Sequence, residues 1–227
     1  MGSIAGSVRT IDDNLTQFLE LEGVTVMLEG TGPVVSTNTD AVGKFQFDGV
    51  PVGTYNLTFT KNGYGTHKIL GRPFVGGDSP GIVAAYIYKV PDVVVSDVTY
   101  TIYNTGYSDV KSLSLLIKIP SPPQGSTRQS GYLRYFLHSS PDVSPTNYKS
   151  TGVFLSGNTT PIFYSSSTPQ LQSGLLIRYE EYPKGSDIYM VVYSCGDPQS
   201  GYINIETGKM IFSSISATGS KVFNIKL

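Results

Sequence analysis

The sequence predicts an all-β protein built as two tandem β-sandwich domains. Apolar and polar residues alternate at every second position in many short runs, and no stretch keeps a helical period for three turns. Glycine (25), proline (14) and tyrosine (16) are plentiful while charged residues make up 15%, the balance of short strands joined by tight turns. With 227 residues the chain suits two domains of roughly 90 and 135 residues rather than one very long sandwich. Lys89-Val90-Pro91-Asp92 marks the boundary, because proline holds its predecessor extended and removes a ladder donor. The expected domains are therefore residues 1–89 and 90–227.

In the first domain Ile4 to Val8 opens as a strand, and residues 10–22 form an extended connection whose Phe18, Leu19 and Leu21 return toward the core. Val24, Val26 and Leu28 give one inward face. Residues 34–64 then read as three short strands. Phe45 and Phe47 alternate with Lys44, Gln46 and Asp48, and Tyr55, Leu57 and Phe59 alternate with Asn56, Thr58 and Thr60. Asp40 and Gly43 supply a side-chain acceptor and a residue free to take positive φ, which predicts a hairpin between the first two strands. Residues 48–53 predict a second hairpin. Thr66 to Leu70 is a strand, residues 71–81 are read as loop from their glycines and prolines, and Ile82 to Tyr88 closes the domain.

The pattern Thr39-Asp40-x-x-Gly43-x-Phe45-x-Phe47, then Val50-Pro51-x-Gly53-x-Tyr55-x-Leu57, then Gly63-Tyr64, resembles the carboxypeptidase regulatory-like domain. That resemblance implies a transthyretin-like (prealbumin-like) β-sandwich over about the first 88 residues. It also implies a non-catalytic module of the kind found beside peptidases and on bacterial surface and nutrient-uptake proteins, with no catalytic residues to carry over.

The second domain shows strand signals at Val93–Tyr103, Leu113–Ile119, Tyr132–Leu137, Gly152–Leu155, Ile162–Tyr164, Leu175–Tyr179, Ile188–Tyr193, Tyr202–Ile205 and Val222–Ile225. Val98, Tyr100 and Ile102 alternate against Thr99, Thr101 and Tyr103. Such spacing predicts an immunoglobulin-like or fibronectin type III-like sandwich, and the lack of a Cys…Trp…Cys pattern excludes a true immunoglobulin domain. The segment 132–142 is loosely similar to adhesion-type modules of bacterial surface proteins.

Composition narrows the function classes. A formal net charge of −1, spread almost evenly between the halves, offers no basic surface for phosphate neutralisation, so nucleic acid is not expected as a partner. The single Cys195 has no partner for an internal disulfide and reads as the buried end of a strand. No apolar run reaches the roughly 18–20 residues of a membrane span. The first residues, MGSIAGSV, carry no signal peptide, yet the resemblance implies export, so the expectation is an extracellular or cell-surface location (periplasm or outer membrane) after removal of a signal peptide or lipid anchor.

Several patterns suggest chemistry and fail on physical grounds. Gly77-Asp78-Ser79-Pro80-Gly81 matches a serine-hydrolase elbow, but Pro80 has no N–H to serve the oxyanion and no helix follows. His67 and His138 fall in different domains, which argues against a histidine-supported triad or a multi-histidine metal site. Glu180 and Glu181 are adjacent on a strand end and point to opposite faces, unlike a glycosidase pair. Asn38-x-Asp40-x-x-Gly43 lacks the later carboxylates of a calcium loop, and Asn14-Leu15-Thr16, Asn56-Leu57-Thr58 and Asn158-Thr159-Thr160 match the glycosylation tripeptide without further support. No catalytic residue, metal ligand or cofactor is assigned.

Tyrosine is the remaining functional material, since an exposed ring stacks on a sugar face while its hydroxyl hydrogen-bonds a neighbouring group. Tyr132, Tyr135, Tyr148, Tyr164, Tyr179, Tyr182, Tyr189, Tyr193 and Tyr202 are available in the second domain, most of them expected to serve the sandwich itself. Loop positions are favoured, so the expected ligand residues are Tyr148, Tyr182, Asn147 and Lys184. The function expected is a non-catalytic binding and scaffolding module that takes a glycan or a cell-surface protein. The rivals are a spacer or pilus-like adhesion subunit using strand addition at Lys221–Leu227, an accessory fragment of a larger receptor or enzyme, and an enzyme, which would need a pocket bringing His67 or His138 to Ser or Asp at hydrogen-bond distance.

Overall fold

The computed structural model describes residues 1–12, 20–78, 84–119, 130–154, 162–163 and 170–227, and every regular element among them is a strand. Phe18, Leu19, Asn14-Leu15-Thr16, Asn158-Thr159-Thr160, Tyr164 and the Ser79-Pro80-Gly81 part of the elbow pattern lie outside the described residues. The chain divides into two compact units, residues 1–90 with 199–214, and residues 91–198 with 215–227. The sequence reading put 199–214 in the second domain, whereas here that segment groups with the first unit.

Unit one runs β1 (Gly2–Ile11), β2 (Thr25–Glu29), β3 (Val35–Asn38), β4 (Lys44–Val50), β5 (Gly53–Thr60), β6 (His67–Phe74), β7 (Gly77–Asp78) and β8 (Ala84–Tyr88). One sheet has the order β4-β1-β7, with β8 also paired to β1, and the other has the order β3-β2-β5-β6. The alternation seen in the sequence sets their inner faces. Phe45, Phe47, Leu57 and Phe59 are buried together with Val8, Val26 and Ile87. Phe45 meets Phe47 and Phe59 edge to face at 6.0 and 5.8 Å, an arrangement that suits the ring quadrupoles.

Both expected hairpins are in fact arches. Asp40 behaves as predicted: its Oδ1 accepts from the N–H groups of Val42 and Lys44, and Gly43 takes φ +78°. Beyond that turn, however, β3 pairs with β2 while β4 pairs with β1 in the other sheet. Residues 48–53 likewise join β4 in one sheet to β5 in the other. Turn chemistry fixes a reversal of direction, not the partner of the next strand. A second correction concerns 71–81, expected as loop. β6 continues to Phe74 through a bulge in which Gly71 adopts φ +65° and donates its N–H to Asn56 Oδ1 at 2.8 Å. Pro73 is tolerated because β6 is an edge strand.

Unit two runs β9 (Asp97–Asn104), β10 (Val110–Lys118), β11 (Ser130–His138), β12 (Ser150–Phe154), β13 (Ile162–Phe163), β14 (Gln170–Arg178) and β15 (Asp187–Cys195). The chain then makes the hairpin β16 (Tyr202–Ile203) and β17 (Met210–Ile211), which groups with unit one, and returns as β18 (Phe223–Lys226). A three-stranded sheet, β14-β10-β9, packs on a sheet of order β12-β11-β15-β18, with β13 also on β11. All its ladders are antiparallel, as expected of an immunoglobulin-like or fibronectin type III-like sandwich. Leu113, Leu115 and Ile117 of β10 meet Leu133, Met190 and Ile225 in its core. Cys195 is in no disulfide among the described residues and is fully buried at the end of β15.

Candidate functional site

The loop corner favoured by the sequence is assembled, but as architecture. Tyr182 is 1% exposed, so its ring is not offered for stacking. Its hydroxyl pairs with Ser150 Oγ at 2.7 Å, and Lys149 Nζ sits 4.8 Å over its ring while bonding the Glu181 carbonyl. Burial pushes its pKa up to about 12. Asn147 closes a turn, its N–H bonded to Ser144 and its side-chain amide reaching the Asp142 carbonyl at 3.4 Å. Tyr148 is half-buried with its ring 5.3 Å from Phe136. Lys184 is exposed. The exposed loop tyrosine expected at 182 is therefore corrected to a core residue, because the turn after β14 folds it under Ser150.

His67 lies in unit one and His138 in unit two. Desolvation lowers the pKa of His67, whose ring lies 5.9 Å from Phe59, and His138 Nδ1 accepts from the Ser140 N–H at 3.0 Å. Glu180 pairs with Arg178 at 3.9 Å on the surface. Among the described residues no three His, Cys, Asp or Glu side chains gather as a metal site, and no helix is long and apolar enough to cross a membrane. The terminal strand β18 is paired with β15, and the Asn224 carbonyl accepts from the Tyr100 hydroxyl at 2.7 Å.

Two hollows carry opposite chemistry. In unit one a mouth of about 340 Å³ is lined by Leu28, Val35, Phe47, Val50 and Tyr55, but its polar groups answer one another. Thr31 Oγ1 donates to the Tyr55 hydroxyl at 2.8 Å, which donates to the Pro51 carbonyl at 2.9 Å. Asp48, which also lines it, accepts from the Ser3 hydroxyl at 2.9 Å and the Gln46 amide at 2.5 Å.

On unit two the outer face of β14-β10-β9 carries a hollow of about 280 Å³ over Thr99, Thr101, Tyr103, Ser114 and Leu116. The registers place Tyr103, Ser112 and Leu176 in one row across the sheet, then Thr101, Ser114 and Gly174, then Thr99 and Leu116. Tyr103 is 54% and Leu176 60% exposed, and among the described residues the hydroxyls of Thr99, Thr101, Ser112 and Tyr103 have no partner in the protein. The sequence signal was present in the outward half of the alternation Thr99, Thr101 and Tyr103. A preference for loop tyrosines over strand ones hides it.

The two units thus define an all-β, tandem-sandwich protein. More narrowly, the sequence pattern of the carboxypeptidase regulatory-like domain family matches residues 3–79, and this part of the chain is such a domain. Known structures resemble the chain at low identity. A candidate carbohydrate-binding protein from Bacteroides uniformis is 14% identical, with 100% of this chain and 99% of that one covered at a TM-score of 0.33. A DUF3823 family protein from Parabacteroides merdae is also 14% identical, with 98% of each chain covered at a TM-score of 0.31. BcpA, the major pilin subunit of Bacillus cereus, is 10% identical, with 99% of this chain and 69% of that one covered at 0.31. No curated protein matches the sequence.

Proposed function

We propose that the chain is a non-catalytic binding and scaffolding module of the extracellular or cell-surface space, and that its ligand is a glycan held on the outer face of β9, β10 and β14. The observation that carries this reading is the exposed face itself, where a tyrosine ring stands beside the hydroxyls of Thr99, Thr101 and Ser112, which have no partner among the described residues. A saccharide matches it, since its C–H face stacks on the ring while its hydroxyls both donate to and accept from Thr and Ser. The regulatory-like domain at 3–79 supports a supporting rather than catalytic role.

A glycan array probed with the whole chain tests the reading. Wild type should bind at least one glycan, and Tyr103→Ala should weaken that binding roughly tenfold, the scale of one lost aromatic contact. An array on which wild type binds nothing overturns it. A ligand at the Asn147–Lys184 corner would instead show as a loss in Tyr148→Ala with Tyr103→Ala unaffected.

A second reading, protein contact by strand addition, is favoured by one feature. β3 is an uncharged edge strand with Val34 and Val35 exposed, lacking the lysine or inward charge that usually blunts such edges. Its signature would be binding lost in Ser36→Pro and kept in Tyr103→Ala.

A further inference from the structure

Resting on the saccharide reading above, we infer that the ligand is a neutral oligosaccharide of two to three pyranose rings lying across the strands, over Thr101, Ser114 and Gly174. Three features of the face set this orientation. Tyr103 and Leu176 stand on one bank and Leu116 on the other, each two residues along its strand from the Thr101–Ser114–Gly174 row. Each bank stands two residues, about 6.8 Å, from that row, so the banks lie about 13.6 Å apart, wide enough for a sugar ring lying crosswise, whereas one lying lengthwise along β10 runs into Leu116. From β9 to β14 the floor runs two strand spacings, about 10 Å, which suits two linked rings and lets a third reach past the sheet edge.

Gly174 is the gap that makes the crossing possible. A Cβ built there meets nothing within 4 Å, and its backbone is not in the left-handed region, so no constraint of the fold requires glycine. A strand interior ordinarily favours a β-branched residue over glycine, and glycine there marks a place where something approaches closely. The neighbour Leu175 packs into the core, which leaves position 174 on the outer face.

Charge selects the ligand class. The ionised groups at the two ends of this face are already compensated, Lys118 by Asp97 at 3.4 Å and Arg178 by Glu180 at 3.9 Å. The rows between them, Thr99–Leu116–Gln172, Thr101–Ser114–Gly174 and Tyr103–Ser112–Leu176, hold no charged residue. An acidic sugar would lose water there without gaining a counter-charge, whereas a neutral one loses little.

The test titrates the whole chain with neutral gluco-oligosaccharides of one to six units, in α- and β-linked series, together with any neutral glycan scored on the array and the matching uronate series. Affinity should rise from one to three units and then level off, with uronates at least about tenfold weaker. Gly174→Val should lower affinity about tenfold with an unchanged melting temperature, and Gly174→Ser should bind within about threefold of wild type. If Tyr103→Ala abolishes binding while Gly174→Val keeps it, or if uronates bind equally, the crosswise neutral ligand is overturned and the saccharide reading survives. If wild type binds no saccharide at all, both fall together.

Discussion

The two outer faces of unit two are built from similar residues and put to opposite use. On the sheet containing β11 and β15 the outward Phe136 is fully buried, with the rings of Tyr148 and Tyr193 against it at 5.3 and 5.8 Å. Beside it Arg134 is 5% exposed, its guanidinium bonded to the Pro198 carbonyl and to Thr151 Oγ1. On the β14-β10-β9 sheet the outward Tyr103 and Leu176 are exposed among the described residues. An aromatic on an outward strand position is thus not informative alone. What separates structure from site is whether the protein supplies the ring's partners or leaves them to be supplied.

That contrast can be broken most sharply by truncation. Phe136→Ala should destabilise unit two by about 3–5 kcal/mol, the usual cost of emptying a packed aromatic site, seen as a fall in its urea-unfolding midpoint. Tyr103→Ala, removing a ring exposed over more than half its surface, should stay within about 0.5 kcal/mol of wild type. Equal losses at the two positions would mean that the faces are not different in kind. Tyr148→Ala lies between, because the ring is half-buried on Phe136, and should cost about 1–2 kcal/mol by lost apolar contact. A Tyr148→Ala variant of unchanged stability that had lost glycan binding would restore the loop corner as the site.

Much of the fold was legible in the sequence because strand alternation and turn chemistry are local. The buried Phe45, Phe47, Leu57 and Phe59, the Asp40–Gly43 turn and the buried strand end at Cys195 all follow from neighbours within a few residues. Partner choice is not local, and there the reading failed. Nothing between Asn38 and Lys44 says that β3 and β4 belong to different sheets, and nothing near Gly71 says that a bulge will carry β6 on to Phe74. The hairpin 202–211 has the same character, since its grouping with unit one depends on close approaches such as that of the Ser213 carbonyl to Gly65, where a Cβ would come within 2.3 Å. For the candidate site, alternation placed Thr99, Thr101 and Tyr103 on one face, but only the register across three strands showed that Ser112, Gly174 and Leu176 share it.

Tyr182 gives the finest test, because it separates a tyrosine used for structure from one offered to a ligand by pH alone. Removing its hydroxyl in Tyr182→Phe leaves Ser150 without that partner and should cost about 0.5–1.5 kcal/mol at neutral pH, the net worth of one hydrogen bond. Its pKa of about 12 in the folded protein, against 10.0 for the model phenol, means that folding favours the protonated ring. The corresponding stability is complete below pH 10 and drains away as pH rises toward 12, since there the unfolded chain has released the proton and the native one has not. The melting temperature of unit two should therefore fall across that window in wild type and fall less in Tyr182→Phe. Identical alkaline slopes in wild type and Tyr182→Phe would show that Tyr182 is not held under Ser150 in solution, and would return its ring to the set of available ligand contacts.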